Sequence, residues 1–227
     1  AGGIGTAIVN SFTEAGAEVI AVDINKSKLE QSGFGANVQK RSFDVTDQKT
    51  VENFIEDLVH DFGGIDILVS NVGAAFQSPL IEIEMSDLRK SFEINFFSLF
   101  RLAKFIGQLL IEQGNKGQML FNISKQAVNP GRNFGAYGLP KSTLMFLVKQ
   151  LALELGEHWI RVNGINADRI RSGLLTDRFI KSRASSRGVS EDIYMQGNLL
   201  KQEVKASHVA AGFIALAKMH RTTGHVL

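Results

Sequence analysis

Cysteine is absent from the 227 residues. Disulfides, thiolate metal sites and a cysteine nucleophile are therefore excluded from this segment. The absence fits a cytoplasmic setting. The five histidines, His60, His158, His208, His220 and His225, are scattered without metal-ligand spacing, so surface or core positions and no metal site are expected. Charge of one sign is also lacking. The 25 Lys and Arg nearly balance 23 Asp and Glu, and the formal charge of +2 gives no footprint for nucleic acid or an anionic membrane. No apolar run reaches the ~18 residues of a spanning helix. No secretory signal, repeat, low-complexity tract or interdomain linker is visible. What is present is ordinary globular composition, 44% hydrophobic and 21% charged, at a length that suits one domain. A small molecule is the expected partner.

Hydrophobic patterning alternates between the two secondary-structure periods. Residues 18–23, 37–43, 65–70, 117–124 and 160–165 read as buried strands. Helices are expected over 6–15, after an Asn25 cap to 30, from Thr46 or Asp47 to about 62, from about 86 to 113, around 137–155 and over 207–219. Residues 168–205 read as irregular or partly helical. This order implies parallel βαβ units in an α/β, doubly wound (Rossmann) sheet. The chain opens in a glycine-rich turn of the kind that follows a strand, and it closes on residues 224–227, where another strand begins. The first and last strands are therefore expected outside residues 1–227, which form one dinucleotide-binding domain of a longer chain.

Tyr137 and Lys141 stand four apart, and Ser124 lies thirteen residues before the tyrosine. Four-residue spacing puts the phenol and the ammonium on one helix face. A free phenol titrates near 10, and a neighbouring ammonium is expected to favour the phenolate. A serine hydroxyl beside them can hold a carbonyl or alcohol oxygen. The set describes proton transfer at a C–O group. Upstream, Gly3 and Gly5 precede a helix, where backbone N–H groups receive a pyrophosphate. Asp23 closes the next strand eighteen residues after Gly5, near the ~20 expected for the acid that binds an adenosine ribose diol. No Arg or Lys directly follows it, which favours NAD over NADP. Asp44 and Val45 close the second strand beside the adenine, and Asn71 with Gly73 closes the third.

These residues, in this order, resemble the short-chain dehydrogenase/reductase superfamily over the whole length. Residues 2–5 (Gly-Gly-Ile-Gly) look like the end of its glycine motif, with Ile4 among the cofactor contacts, and residues 70–73 (Ser-Asn-Val-Gly) look like its Asn-Asn-Ala-Gly turn. Ser124, Tyr137 and Lys141 match the catalytic residues. Asn95 matches the asparagine that helps hold a water in a proton relay to the lysine. The resemblance implies an NAD-linked oxidoreductase in which Lys141 also binds the nicotinamide ribose and Ile170 offers backbone groups to the carboxamide. Two departures stand out: Ala167-Asp168 replaces the usual Pro-Gly, and Lys125 replaces a second serine. Pro140 is expected in the first turn of the catalytic helix, starting near Tyr137.

Residues 122–135 and 166–173 are similar to the dehydrogenase half of bifunctional aldolase/short-chain dehydrogenase proteins. That closer likeness implies sugar (rhamnose) catabolism, a lactaldehyde-like substrate and a covalently fused aldolase domain. Without cysteine, aldehyde oxidation would run through the hydrate, a gem-diol. Arg169 and Arg171 lie in the basic 168–188 segment. A solvated helix face is the plain reading there, and a grip on an anionic substrate group the sharper one. Surplus apolar residues on the two long helices suggest a homo-oligomer. The reading from another class is a non-catalytic dinucleotide-binding regulatory or structural module.

Overall fold

Five strands form two sheets, each with parallel pairing. The computed structural model describes residues 1–227. The chain divides into two compact units, Ala1–Ser42 with Ala167–Ile214, and Phe43–Asn166 with Ala215–Leu227.

The first unit begins with helix α1 (Gly3–Glu14), which buries Ile8 and Phe12. Gly16, at φ 88°, ends it in a conformation that suits glycine. Strand β1 (Val19–Asp23) follows, then α2 (Lys26–Glu30), whose first turn is capped by the Asn25 side chain accepting from the Lys28 N–H at 2.9 Å. Strand β2 (Val38–Ser42) pairs parallel to β1, Val19 opposite Val38 and Asp23 opposite Ser42. Ala21, Leu29 and Val38 form the core between them.

The second unit carries α3 (Gln48–Phe62), capped by Asp47 on the Thr50 N–H, then β3 (Ile67–Ser70), α4 (Met85–Phe92), α5 (Ser98–Gln113), β4 (Gln118–Asn122), α6 (Gly135–Leu155) and β5 (Arg161–Ile165). Its sheet order is β3-β4-β5, all parallel. Met119, Leu120 and Phe121 on β4 are wholly buried, so both faces of the central strand are covered, as in parallel sheets flanked by helices. Val226 adds a parallel bridge to Gly164 of β5. The core joins Leu99, Ala103, Ile106 and Leu110 of α5 to Leu144, Val148 and Ala152 of α6.

The α/β, Rossmann-type order of elements is as the sequence implies. The strands make two sheets, of order β1-β2 and β3-β4-β5. The expected long helix is interrupted. Between α4 and α5, residues Glu93–Phe97 form a π turn, in which the Ser98 N–H reaches back five residues to the Glu93 carbonyl. Residues Met85–Gln113 together are long and apolar enough to cross a membrane, but half of that apolar stretch is buried in the core. Helix α6 starts at Gly135, because the Phe134 carbonyl accepts from both Tyr137 and Gly138. Pro140 therefore lies in the second turn, not the first. Residues 168–205 contain α7 (Asp177–Ser185) and α8 (Glu191–Met195), each with a hydroxyl N-cap, and α9 (Ala206–Lys218) follows.

Candidate active site

Three residues expected to act together do meet in the second unit. Ser124 lies just beyond β4 in extended backbone, and its Oγ accepts from the Gln126 N–H at 3.2 Å. The same hydroxyl is hydrogen-bonded to the Tyr137 phenol. Two contacts lock the serine's short turn to α6. The Ser142 hydroxyl donates to the Ala127 carbonyl at 2.7 Å. A methyl on Gly138 would sit only 3.1 Å from the Gln126 carbonyl oxygen, so glycine there lets the turn approach the helix.

Tyr137 is buried, and burial pushes its phenol above the usual value, with the Ser124 hydrogen bond opposing. Lys141 is buried one turn on, and burial pulls its ammonium down to about 8. Its Nζ donates to the Asn122 carbonyl at 3.1 Å and lies 5.8 Å from the centre of the Tyr137 ring. The expected lowering of the tyrosine by the lysine is therefore not what the structure shows. Desolvation of the phenol dominates, and Ser124 supplies the opposing contact.

Asn95 is placed by the π turn. Its Oδ1 accepts from the Ala74 N–H at 3.0 Å, and its Nδ2 donates to the Ala74 carbonyl at 2.9 Å and to the Ser91 carbonyl at 3.0 Å. The side chain thus clamps the loop after β3. A methyl on Gly73 would meet Asn95 Oδ1 at 3.2 Å and Lys141 Nζ at 3.6 Å, so the bare backbone of this turn lets both side chains close on it. Asn71 Oδ1 accepts from Asn122 Nδ2 at 2.6 Å. Asn122 was not singled out for a role by sequence reasoning, yet it holds Asn71 through its side chain and Lys141 through its carbonyl. Its position at a strand end, two residues before Ser124, was the available signal. Asp44 forms a local turn, its Oδ1 accepting from the N–H and hydroxyl of Thr46, with Val45 between them.

The first unit holds the remaining candidates. Helix α1 begins after Gly2 in extended backbone, with no side-chain cap and no acid in its first turn. Its leading N–H groups, at Gly3, Ile4 and Gly5, are left for an anion. Asp23 ends β1 with Oδ1 accepting from the Asn25 N–H at 2.8 Å and Oδ2 lying 2.6 Å from the Ala1 nitrogen. Ile170 is buried. A methyl on Gly3 would meet the Arg171 carbonyl oxygen at 3.6 Å, an ordinary contact. Both arginines proposed for an anionic substrate are already engaged. Arg169 donates to the Tyr194 carbonyl and stacks on its ring at 4.5 Å. Arg171 pairs with Asp177 at 2.8 Å and Glu203 at 2.9 Å. Neither presents a free guanidinium, because both tie the 168–205 segment together.

This Ser-Tyr-Lys arrangement on a parallel α/β scaffold defines a class of oxidoreductase. The family model described as enoyl-(acyl carrier protein) reductase matches residues 1–227. The chain belongs to the short-chain dehydrogenase/reductase superfamily, whose members are oxidoreductases of alcohol and carbonyl groups. Among relatives, it is 28% identical to the uncharacterized oxidoreductase YuxG of Bacillus subtilis over 239 residues, which takes in 99% of this chain and 35% of that protein. Among solved structures, 3-ketoacyl-(acyl-carrier-protein) reductase of Brucella melitensis complexed with NADH superposes with a TM-score of 0.87 at 23% identity, over 100% of this chain and 91% of the other. ElxO with NADP bound gives 0.88 at 23% identity, over 100% and 92%.

Proposed function

We propose that the protein is an NAD-dependent oxidoreductase of a small hydroxy or carbonyl compound. The observation that carries this reading is the buried Tyr137 phenol, hydrogen-bonded to Ser124 with the Lys141 ammonium one helical turn away. A binding module has no use for a desolvated proton donor held against a second hydroxyl. Within the first unit, an uncapped helix start at Gly3, Ile4 and Gly5 and a strand-end carboxylate at Asp23 suit the phosphate and ribose of a nicotinamide dinucleotide, and within the second the turn at Gly73 packs on Lys141. When bound, the nicotinamide supplies the hydride chemistry at the carbon that carries the oxygen.

Ser124 holds the substrate oxygen by hydrogen bond. Tyr137 takes the hydroxyl proton in oxidation and returns it to the carbonyl oxygen in reduction. Burial keeps the phenol protonated at neutral pH, which is the form that donates. Reduction should therefore run at neutral pH, and oxidation should gain as pH rises. Asp23 supports NAD rather than NADP, since its carboxylate would repel a 2′-phosphate and Ile24-Asn25 follow it in place of a base. The resemblance of residues 122–135 and 166–173 supports a lactaldehyde-like substrate of sugar catabolism and fusion to an aldolase. With no cysteine in residues 1–227, acid formation would need the aldehyde hydrate, handled by Ser124 and Tyr137 as an alcohol.

The test is incubation with NAD and a panel of 2-hydroxy aldehydes and polyols, following NADH absorbance. Tyr137→Phe should abolish turnover while leaving NADH binding intact by calorimetry, and substantial residual turnover would remove Tyr137 as the base. Asp23→Asn should narrow the preference for NAD over NADP by about tenfold or more.

A further inference from the structure

Ser91 has no part in the chemistry above. It is wholly buried on α4, and its hydroxyl donates to the Ala136 carbonyl at 2.7 Å. That carbonyl belongs to the peptide whose nitrogen is that of Tyr137. In an uninterrupted α-helix it would accept the N–H of the residue four positions on. That residue is Pro140, which has no N–H. A side chain from another helix therefore supplies the donor. The nitrogen of the same peptide donates to the Phe134 carbonyl at 3.1 Å, so both polar ends of the 136–137 unit are fixed. Ser91 Oγ in turn accepts from Asn95 Nδ2 at 3.2 Å, and Asn95 grips both polar groups of Ala74. A donor within α6 would satisfy the carbonyl locally. The serine satisfies it from outside, and links the turn carrying the phenol to the Asn95 clamp.

We propose that Ser91 is a positioning residue for Tyr137, its hydroxyl standing in for the donor that Pro140 lacks and holding the phenol against Ser124. The proposal rests on the reading of Tyr137 as the group that moves the substrate proton. If Ser91 merely filled space, no change at Pro140 could compensate for its loss. If it acts as the missing donor, Pro140→Ala restores a main-chain N–H aimed at the same carbonyl and makes the hydroxyl dispensable.

The experiment compares the full chain with Ser91→Ala and with Ser91→Ala/Pro140→Ala. The chain has two tyrosines, so ring-labelled tyrosine gives two carbon NMR signals, and Tyr137→Phe assigns them. Ser91→Ala should shift the Tyr137 signal and move its ionisation to higher pH, since the Ser124 contact that opposes burial is weakened, while Tyr194 stays in place. Turnover with NAD should fall roughly tenfold or more at unchanged KM for NAD. The double variant should recover both. A Tyr137 titration unchanged in Ser91→Ala, or a double variant no better than the single one, overturns the proposal. Should Ser91→Ala fail to fold, folding becomes the readout: a folded double variant with the wild-type Tyr137 signal supports the proposal, and one that also fails to fold refutes it. The phenol titration needs neither substrate nor cofactor, so a failure of the base assignment would show separately, as activity surviving in Tyr137→Phe.

Discussion

Burial moves Lys141 and Tyr137 in opposite directions on the pH axis. The folded chain gives up the Lys141 proton at about 8, whereas the unfolded chain keeps it to near 10.5. Between those values the unfolded state binds more protons, so stability rises with pH, by on the order of 3 kcal/mol for a group this buried. Above about 10 the raised Tyr137 opposes, because the unfolded phenol ionises first. With no cysteine to titrate, the window from 8 to 10 is simple to read. Urea midpoints should climb across it, and Lys141→Met should flatten the climb. Gly138 offers a second test at this scale. In Gly138→Ala the new methyl meets the Gln126 carbonyl oxygen at 3.1 Å, and a main-chain oxygen yields less readily than a side chain. A loss of about 1 kcal/mol in stability and a several-fold loss of turnover are expected, measured by denaturant titration and NADH formation. The chemistry was legible in the sequence because Tyr137 and Lys141 share one helix face and spacing encodes that directly. Asn122 and Ser91 were not, since their contacts join residues 19 and 45 positions apart.

At the scale of elements, α4 and α5 read from the sequence as one helix because apolar periodicity survives a π turn. The turn adds one residue per loop and rotates Asn95 into the core, where its amide replaces strand-like partners for Ala74. Hydrophobic period carries no record of such a bulge, so the clamp that Asn95 makes on Ala74 is not legible in it. Asn95→Ala would leave the Ala74 N–H and carbonyl without their buried partner. The expected cost is about 2–4 kcal/mol, with faster hydrogen exchange at the Ala74 amide and little change at β5 amides, read by exchange mass spectrometry or NMR. Helix α6 likewise starts at Gly135, two residues before Tyr137, although a proline at 140 by itself calls for a first-turn position. Ser91 removes that need by satisfying the Ala136 carbonyl from outside the helix. Caps were better predicted. Asn25 and Asp47 each carry their information within three residues of the N–H they accept.

At the scale of the whole molecule, fold class was legible because strand and helix periods alternate throughout, while the register of each strand pair is set by contacts distant in sequence. Association is the remaining question at this scale. Helix α6 buries Leu144, Leu147, Val148 and Ala152 in the core, yet it exposes Leu139, Phe146 and Leu153. These three recur every seven residues, which places them along one stripe of the helix. Phe97 and Phe100 are also exposed, in the π turn and at the start of α5. A helix that has already packed one face has no internal use for a second apolar stripe, and water contact with it is unfavourable. A second copy of the chain, meeting the stripe about a two-fold axis, would bury it against itself. Sedimentation velocity should then find a dimer or larger assembly at micromolar concentration. Phe146→Glu/Leu153→Lys should shift it toward the monomer with the circular dichroism of the fold retained. A wild-type chain that sediments as a monomer at every concentration would leave the stripe without that role.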